Sequence, residues 1–191
     1  MNFVKLFAAA ATAFAFSNPA SAALLVSSTG APGNTVTNYS EAGLVSFDLE
    51  LINFSGARLN FVLEQADLAG PLSLNAIIKN MTLQLLPKFN FDLQGISYAS
   101  SGSVTAGFGT IGSVSNTATN ANIAFSNGEP ADFYFGNPLG NAGQFDWLLD
   151  TTGMQAGDTF SITAQVPEPA SLALMLPLLA GLVAARRRKR N

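Results

Sequence analysis

The sequence predicts an all-β body, an antiparallel β-sandwich of jelly-roll-like kind, flanked by an N-terminal signal peptide and a C-terminal hydrophobic helix. Three observations predict it. Apolar residues recur at every second position in many short runs, the mark of strands with one buried face. Gly, Asn and Pro punctuate those runs, as turns require. The stretch between the two unusual ends, residues 23–165, is long enough to close one core and holds no cysteine, so packing and strand pairing alone must stabilise it.

The elements follow in order. Val45, Phe47, Leu49 and Leu51 alternate with Ser46, Asp48 and Glu50, which reads as a half-buried strand. Ser55-Gly56 then turns into Leu59, Phe61 and Leu63, opposite Arg58, Asn60 and Glu64, so a hairpin is the simplest joint. Leu68 to Lys79 carries the body's single, weak helical reading. Further strands are read at Met81-Leu83-Leu85, at Phe89-Phe91-Leu93, at Ala121–Phe125 and Ala131–Phe135 on either side of an Asn127-Gly128 turn, at Phe145-Trp147-Leu149, and at Phe160-Ile162-Ala164-Val166. Ser97 to Thr119, with ten Ser or Thr and four Gly in 23 residues, reads either as flat strands or as a long exposed loop. Its hydroxyls are candidates for O-glycosylation.

Both ends are processing signals in form. Lys5 supplies a positive start, Leu6 to Phe16 an apolar core, and Ala20-Ser21-Ala22 a small-x-small site with cleavage after Ala22, which together make a secretory signal peptide over residues 1–22. At the other end stand Val166-Pro167-Glu168-Pro169, an apolar run from Leu172 to Ala185, and Arg186-Arg187-Arg188-Lys189-Arg190. The run has 14 residues, interrupted by Pro177 and Gly181, whereas a spanning helix needs about 20. It would enter a bilayer under mismatch. The basic cluster favours the cytoplasmic side and so acts as a stop-transfer signal, leaving the Pro-Glu-Pro strip outside. Two prolines hold that strip extended, as a processing enzyme would need it.

This order of Pro-Glu-Pro, short apolar run and Arg cluster over residues 166–191 resembles the PEP-CTERM sorting signal. The resemblance implies recognition and cleavage by an exosortase, an integral-membrane cysteine transpeptidase of Gram-negative bacteria that make exopolysaccharide. It further implies an inner-membrane-tethered precursor, prior cleavage by signal peptidase, and a final place at the cell surface or in the exopolysaccharide and biofilm matrix. It implies nothing about the chemistry of residues 23–165.

Composition excludes several chemistries for that body. Without both signals it keeps Arg58, Lys79 and Lys88 against eleven carboxylates, a net charge of −8. Three scattered bases give no footprint for nucleic acid. With no histidine and no cysteine in the chain, Ser-His-Asp and Cys-His catalysis lack their base or nucleophile, and zinc, copper, haem and iron–sulfur centres lose their usual ligands. The expectation is a non-enzymatic protein with no cofactor, calcium being the one open possibility: Asn137, Asn141, Asp146, Asp150 and Asp158 offer oxygen ligands, without a calcium-loop motif.

Other matches are weaker than their alternatives. Gly107-Phe108-Gly109-Thr110-Ile111-Gly112 spells G-x-G-x-x-G, but a poor helix start follows it, so no helix N-terminus would meet a pyrophosphate. Asn38, Asn53 and Asn80 head N-x-[ST] triplets that read as chance. Asp48 and Glu50, or a pair drawn from Glu129, Asp132, Asp146 and Asp150, are the acids available for glycoside hydrolysis, and each reads equally as a solubilising side chain. Trp147, Tyr134 and Phe133 would make a sugar platform. Against this, Trp147 shares the inward register of Phe145 and Leu149, so core is expected. A carbohydrate-binding module and a carboxylate-based polysaccharide hydrolase are the rival functions.

Overall fold

Strands form where the two-residue alternation places one apolar face inward. The computed structural model describes residues 23–30, 33–126 and 130–167. Along it run β1 (Leu24–Gly30), β2 (Thr35–Asn38), β3 (Leu44–Leu51), β4 (Ala57–Val62), a 3-10 turn (Gln65–Ala69), β5 (Leu72–Asn80), β6 (Lys88–Gln94), β7 (Ser97–Ser100), β8 (Val104–Phe108), β9 (Ile111–Asn116), β10 (Asn120–Phe125), β11 (Asp132–Phe135), β12 (Trp147–Asp150) and β13 (Thr159–Gln165). The first sheet has the order β1-β4-β13-β6-β10-β9. In the second, β2-β3-β5-β11-β8 is extended by β12, which pairs with β5 and β7.

The two sheets close over one core. Phe91 of the first sheet lies 4.2 Å from Phe135 and 6.5 Å from Phe47 of the second, by ring centroids, and Phe89 meets Phe133 at 5.3 Å. These rings are fully buried with Leu49, Leu59, Leu74, Ile78 and Ile162. A core phenylalanine of this kind is worth about 3–5 kcal/mol against alanine.

Several expectations are corrected. The β3 and β4 strands form no hairpin, because β4 joins the opposite sheet, between β1 and β13. The Asn34 side chain clamps the crossing: its oxygen accepts from Ile52 N (3.0 Å) and Asn53 N (3.2 Å), and its amide donates to the Ser55 carbonyl (2.5 Å). Having crossed over and back, the chain lays β5 parallel to β3, so the sheets are not wholly antiparallel. Leu68 to Lys79 is not helical beyond the 3-10 turn. Leu72, Leu74, Ala76 and Ile78 all point inward from β5, and the alternation is masked in sequence by the apolar Ile77 on the outer face, where Asn75 is also buried.

Met81-Leu83-Leu85 is no strand, because the Asn80 side chain accepts from Thr82 N and Oγ1 and donates to the Gln84 carbonyl, curling the chain into a turn. Phe145 is exposed and precedes β12, while Trp147 and Leu149 are buried as expected. Within Ser97 to Thr119 the strand reading holds, as β7, β8 and β9.

Pairing registers place Leu51 beside Asn80, Gln165 beside Asn90, Ala164 beside Ala57 and Phe125 beside Ile111. One end of the sandwich therefore gathers the β3–β4, β5–β6, β8–β9 and β10–β11 connections and the C-terminal exit of β13. It is called the exit end below. The far end holds the start of β1 and the β2–β3, β4–β5, β6–β7, β9–β10 and β12–β13 connections. Asn127, Gly128 and Glu129 lie outside the described residues.

Candidate functional site

One open depression among the described residues follows from an interrupted strand. Phe135 pairs with Ala76 and Trp147 with Leu74, so β11 and β12 lie end to end along the same edge of β5. Between them the chain loops out as Asn137–Asp146 and returns opposite Asn75. A loop of this size with adjacent ends is an Ω-loop. Gly136 permits it twice over: its φ of 75° is left-handed, and a Cβ there would come within 2.7 Å of Asn75 Cβ.

Polar contacts fix the loop from inside. Asp146 Oδ1 accepts from Asn137 N (2.8 Å) and from Asn75 Nδ2 (3.1 Å), which is why Asn75 is buried. Asn137 Oδ1 accepts from Asn141 N (2.7 Å), and its amide donates to the Asn141 and Gln144 carbonyls. From the neighbouring chain, the Ser103 carbonyl accepts from Gly136 N (2.8 Å) and Trp147 Nε1 (3.1 Å), and Ser103 Oγ accepts from Phe145 N (3.0 Å). Gly102 packs so closely that a Cβ would lie 2.5 Å from Trp147 N.

Against this loop lies an open cleft of about 650 Å³ lined by Ser73, Ser100, Ser101, Ser103, Asn137, Gln144, Phe145, Asp146 and Leu148, with Gly102 at its floor. Phe145 presents a ring that is 70% exposed. Two buried acceptors there, Asn75 Oδ1 and Gln144 Oε1, have no hydrogen-bond partner. Hydroxyls and amides beside one exposed aromatic ring suit a neutral polyhydroxyl ligand. Asp146 is the sole carboxylate among the lining residues, and two-carboxylate glycoside hydrolysis needs a second.

The other acids are distributed around turns and a sheet face. Asp132 Oδ1 accepts from Asn80 N (2.7 Å), Asp150 Oδ1 from Thr152 N (2.9 Å) and Asp158 Oδ2 from Gln155 N (2.8 Å). The Thr152 bonds lower the Asp150 carboxyl below its usual range. Lys79 stands between the two outward acids of β3, 3.1 Å from Glu50 and 3.9 Å from Asp48. The hydrogen bond and charge of Glu50 raise the Lys79 ammonium, while partial burial raises Asp48 against the pull of Lys79. This is an exposed ion triad on a solvated strand face.

Of the five oxygen donors considered for calcium, Asn137, Asn141 and Asp146 share the Ω-loop, whereas Asp150 and Asp158 belong to the far end. In the loop, Asn137 Oδ1 and Asp146 Oδ1 already accept from N–H donors. Among the described residues no three His, Cys, Asp or Glu side chains gather as a metal site.

Trp147 and Phe133 are fully buried, so Trp147 lies in the core as expected and the alternative aromatic platform with Tyr134 does not form. Trp147 stacks on Phe135 with centroids 4.5 Å apart. The glycine motif at residues 107–112 is the turn from β8 into β9, with no helix after it. Of the sorting motif, Val166 packs half-buried against the core and Pro167 follows directly. Glu168, Pro169, the basic residues Arg186, Arg187, Arg188, Lys189 and Arg190, and the cleavage residues Ala20 and Ala22 lie outside the described residues.

Sequence reasoning missed Ser103, Gly136 and Asn75 as the frame of the cleft, and Phe145 as its exposed ring. The signal available was the turn-rich run from Gly136 to Gly143, set between two apolar alternations. No protein-family model, curated protein or solved structure matches the chain.

Proposed function

We propose that this chain is an exported, non-enzymatic cell-surface or matrix protein whose C-terminal segment is a PEP-CTERM signal handled by an exosortase. The observation that carries the reading is the occurrence together, within 26 residues, of Pro167-Glu168-Pro169, the apolar run and the basic cluster. The position of the motif supports it: β13 ends at Gln165, so the strip starts at the edge of the folded body with no linker between them. The non-enzymatic reading is supported by the carboxylates, which serve turns, the Ω-loop and the ion triad. The body serves as a jelly-roll-like scaffold, a description supported by the chain's repeated passage from sheet to sheet, with the parallel β3–β5 pair as its departure.

The test is replacement of Pro167, Glu168 and Pro169 by alanine. The precursor should then stay membrane-bound and unprocessed, because the strip could join the following helix. Normal release of that variant would contradict the proposal.

A second reading, a module that binds the matrix polysaccharide, is favoured by the exposed Phe145 ring over the polar cleft. A glycan array on the mature protein tests it. Binding to a neutral glycan that Phe145→Ala abolishes would support it, and an array without binding would reject it.

A further inference from the structure

We infer that the exit end of the sandwich is a membrane-docking surface, seated in the tethered precursor on the interface of the anionic bilayer that holds its own tail. The inference rests on the sorting reading for the tether itself. The evidence for docking is separate and lies in the body.

Exposed apolar side chains collect at this end. Ile52 (55% exposed), Met81 (59%), Leu83 (85%) and Leu85 (56%) come from two of its connections, and Phe108 (58%) is the last residue of β8. The β5–β6 turn is built inside out. Asn80, Thr82 and Gln84 bond one another within it, while Met81, Leu83 and Leu85 project into solvent. Leu83 is held at φ 59°, a left-handed conformation that a bulky side chain rarely adopts. A turn that spends its polar groups internally and displays leucine at a strained tip suits an apolar surrounding better than water.

Distance makes the bilayer the nearest such surrounding. From Pro167 to Leu172 there are five residue steps, which span at most about 18 Å fully extended. The headgroup layer is roughly 5–8 Å deep on each side, so a tail inserted at Leu172 keeps the exit end within reach of it.

Charge points the same way. Two of the body's three bases lie at this end: Lys79 is the penultimate residue of β5 and Lys88 the first of β6, whereas the Arg58 guanidinium reaches the other way and donates to Gln94 Oε1 (2.7 Å), at the far end of β6. Asp48 and Glu50 offset Lys79 there, Asp132 is bonded to Asn80 N, and Glu129 belongs to the β10–β11 connection. The far end carries Glu41, Glu64, Asp67, Asp150 and Asp158, with the Arg58 guanidinium as their one neighbouring base among the described residues. An anionic leaflet would repel that end and turn the exit end toward itself.

The native chain has no cysteine, so one introduced thiol reports one place. The full-length chain, reconstituted in phosphatidylethanolamine–phosphatidylglycerol vesicles with nitroxide-labelled lipid, would carry an environment-sensitive dye at Ser55→Cys (exit end), Gln155→Cys (far end) or Leu179→Cys (apolar run). The expected result is strong quenching at 179, quenching at 55 several-fold above that at 155, and loss of most of the quenching at 55 when Leu83→Asp and Leu85→Asp are added. Quenching at 179 with equal exposure at 55 and 155, or no response at 55 to the two aspartates, would overturn docking and leave the tether standing. An unquenched label at 179 would overturn both.

Discussion

The exit end and the far end are built from the same strands yet differ in surface, although the far end too exposes Leu24 and Tyr39. At the exit end, turns and the last residue of β8 display Ile52, Met81, Leu83, Leu85 and Phe108, and Lys79 and Lys88 stand nearby. At the far end, the turns are closed by carboxylates: Asp67 accepts from Gly43 N and Glu64 N, Asp150 from Thr152 N and Asp158 from Gln155 N. The difference teaches where this fold is free to vary. Strand alternation constrains the inward residues, since a slip of one position would turn a whole apolar set outward. The connections carry no such constraint, so the ends can be specialised without disturbing the core.

If that division is right, the largest effect belongs between the ends. Trp147→Ala should cost about 3–5 kcal/mol by urea unfolding, and native Trp147 emission should be blue-shifted and resistant to iodide. Ready quenching would break the contrast between a rigid core and variable ends. Asp146→Ala should cost about 1–3 kcal/mol, because it leaves the buried Asn75 amide and Asn137 N unpaired. A loss near zero would mean that the Ω-loop holds itself without that carboxylate.

At the exit end the sign should reverse. Leu83→Asn should raise stability by about 1 kcal/mol, since asparagine tolerates the left-handed backbone, and a lower urea midpoint would argue against strain at that tip. The smallest effect is at the far end. Asp150 is held below its usual pKa by Thr152, so its contribution is present above the unfolded value near pH 4 and is lost as pH falls through the lowered folded value. Asp150→Asn should therefore lower the urea midpoint slightly at neutral pH and leave it unchanged in strong acid. An equal shift in both would remove the electrostatic account.

Much of the body was legible because buried faces repeat every second residue. The alternations in β3, β6, β11 and β13 are visible in the chain itself, and Trp147 declares its burial by its spacing to Leu149. What was illegible depends on partners distant in sequence. Asn75 reads as an ordinary outward polar residue, and its burial depends on Asp146, 71 positions later. The crossing after β3 depends on Asn34, which local turn chemistry at Ser55-Gly56 does not reveal. Met81-Leu83-Leu85 alternates like a strand, and only the Asn80 side chain makes it a turn. The cleft was missed for the same reason, as its frame joins Ser103 to residues more than thirty positions away.

The central proposal, that both ends are addresses removed in transit, is tested most directly by the intact mass of the protein recovered from the cell surface. The account predicts a mass lacking residues 1–22 and the stretch from Arg186 to Arg190. Surface material that retains the basic cluster would contradict it.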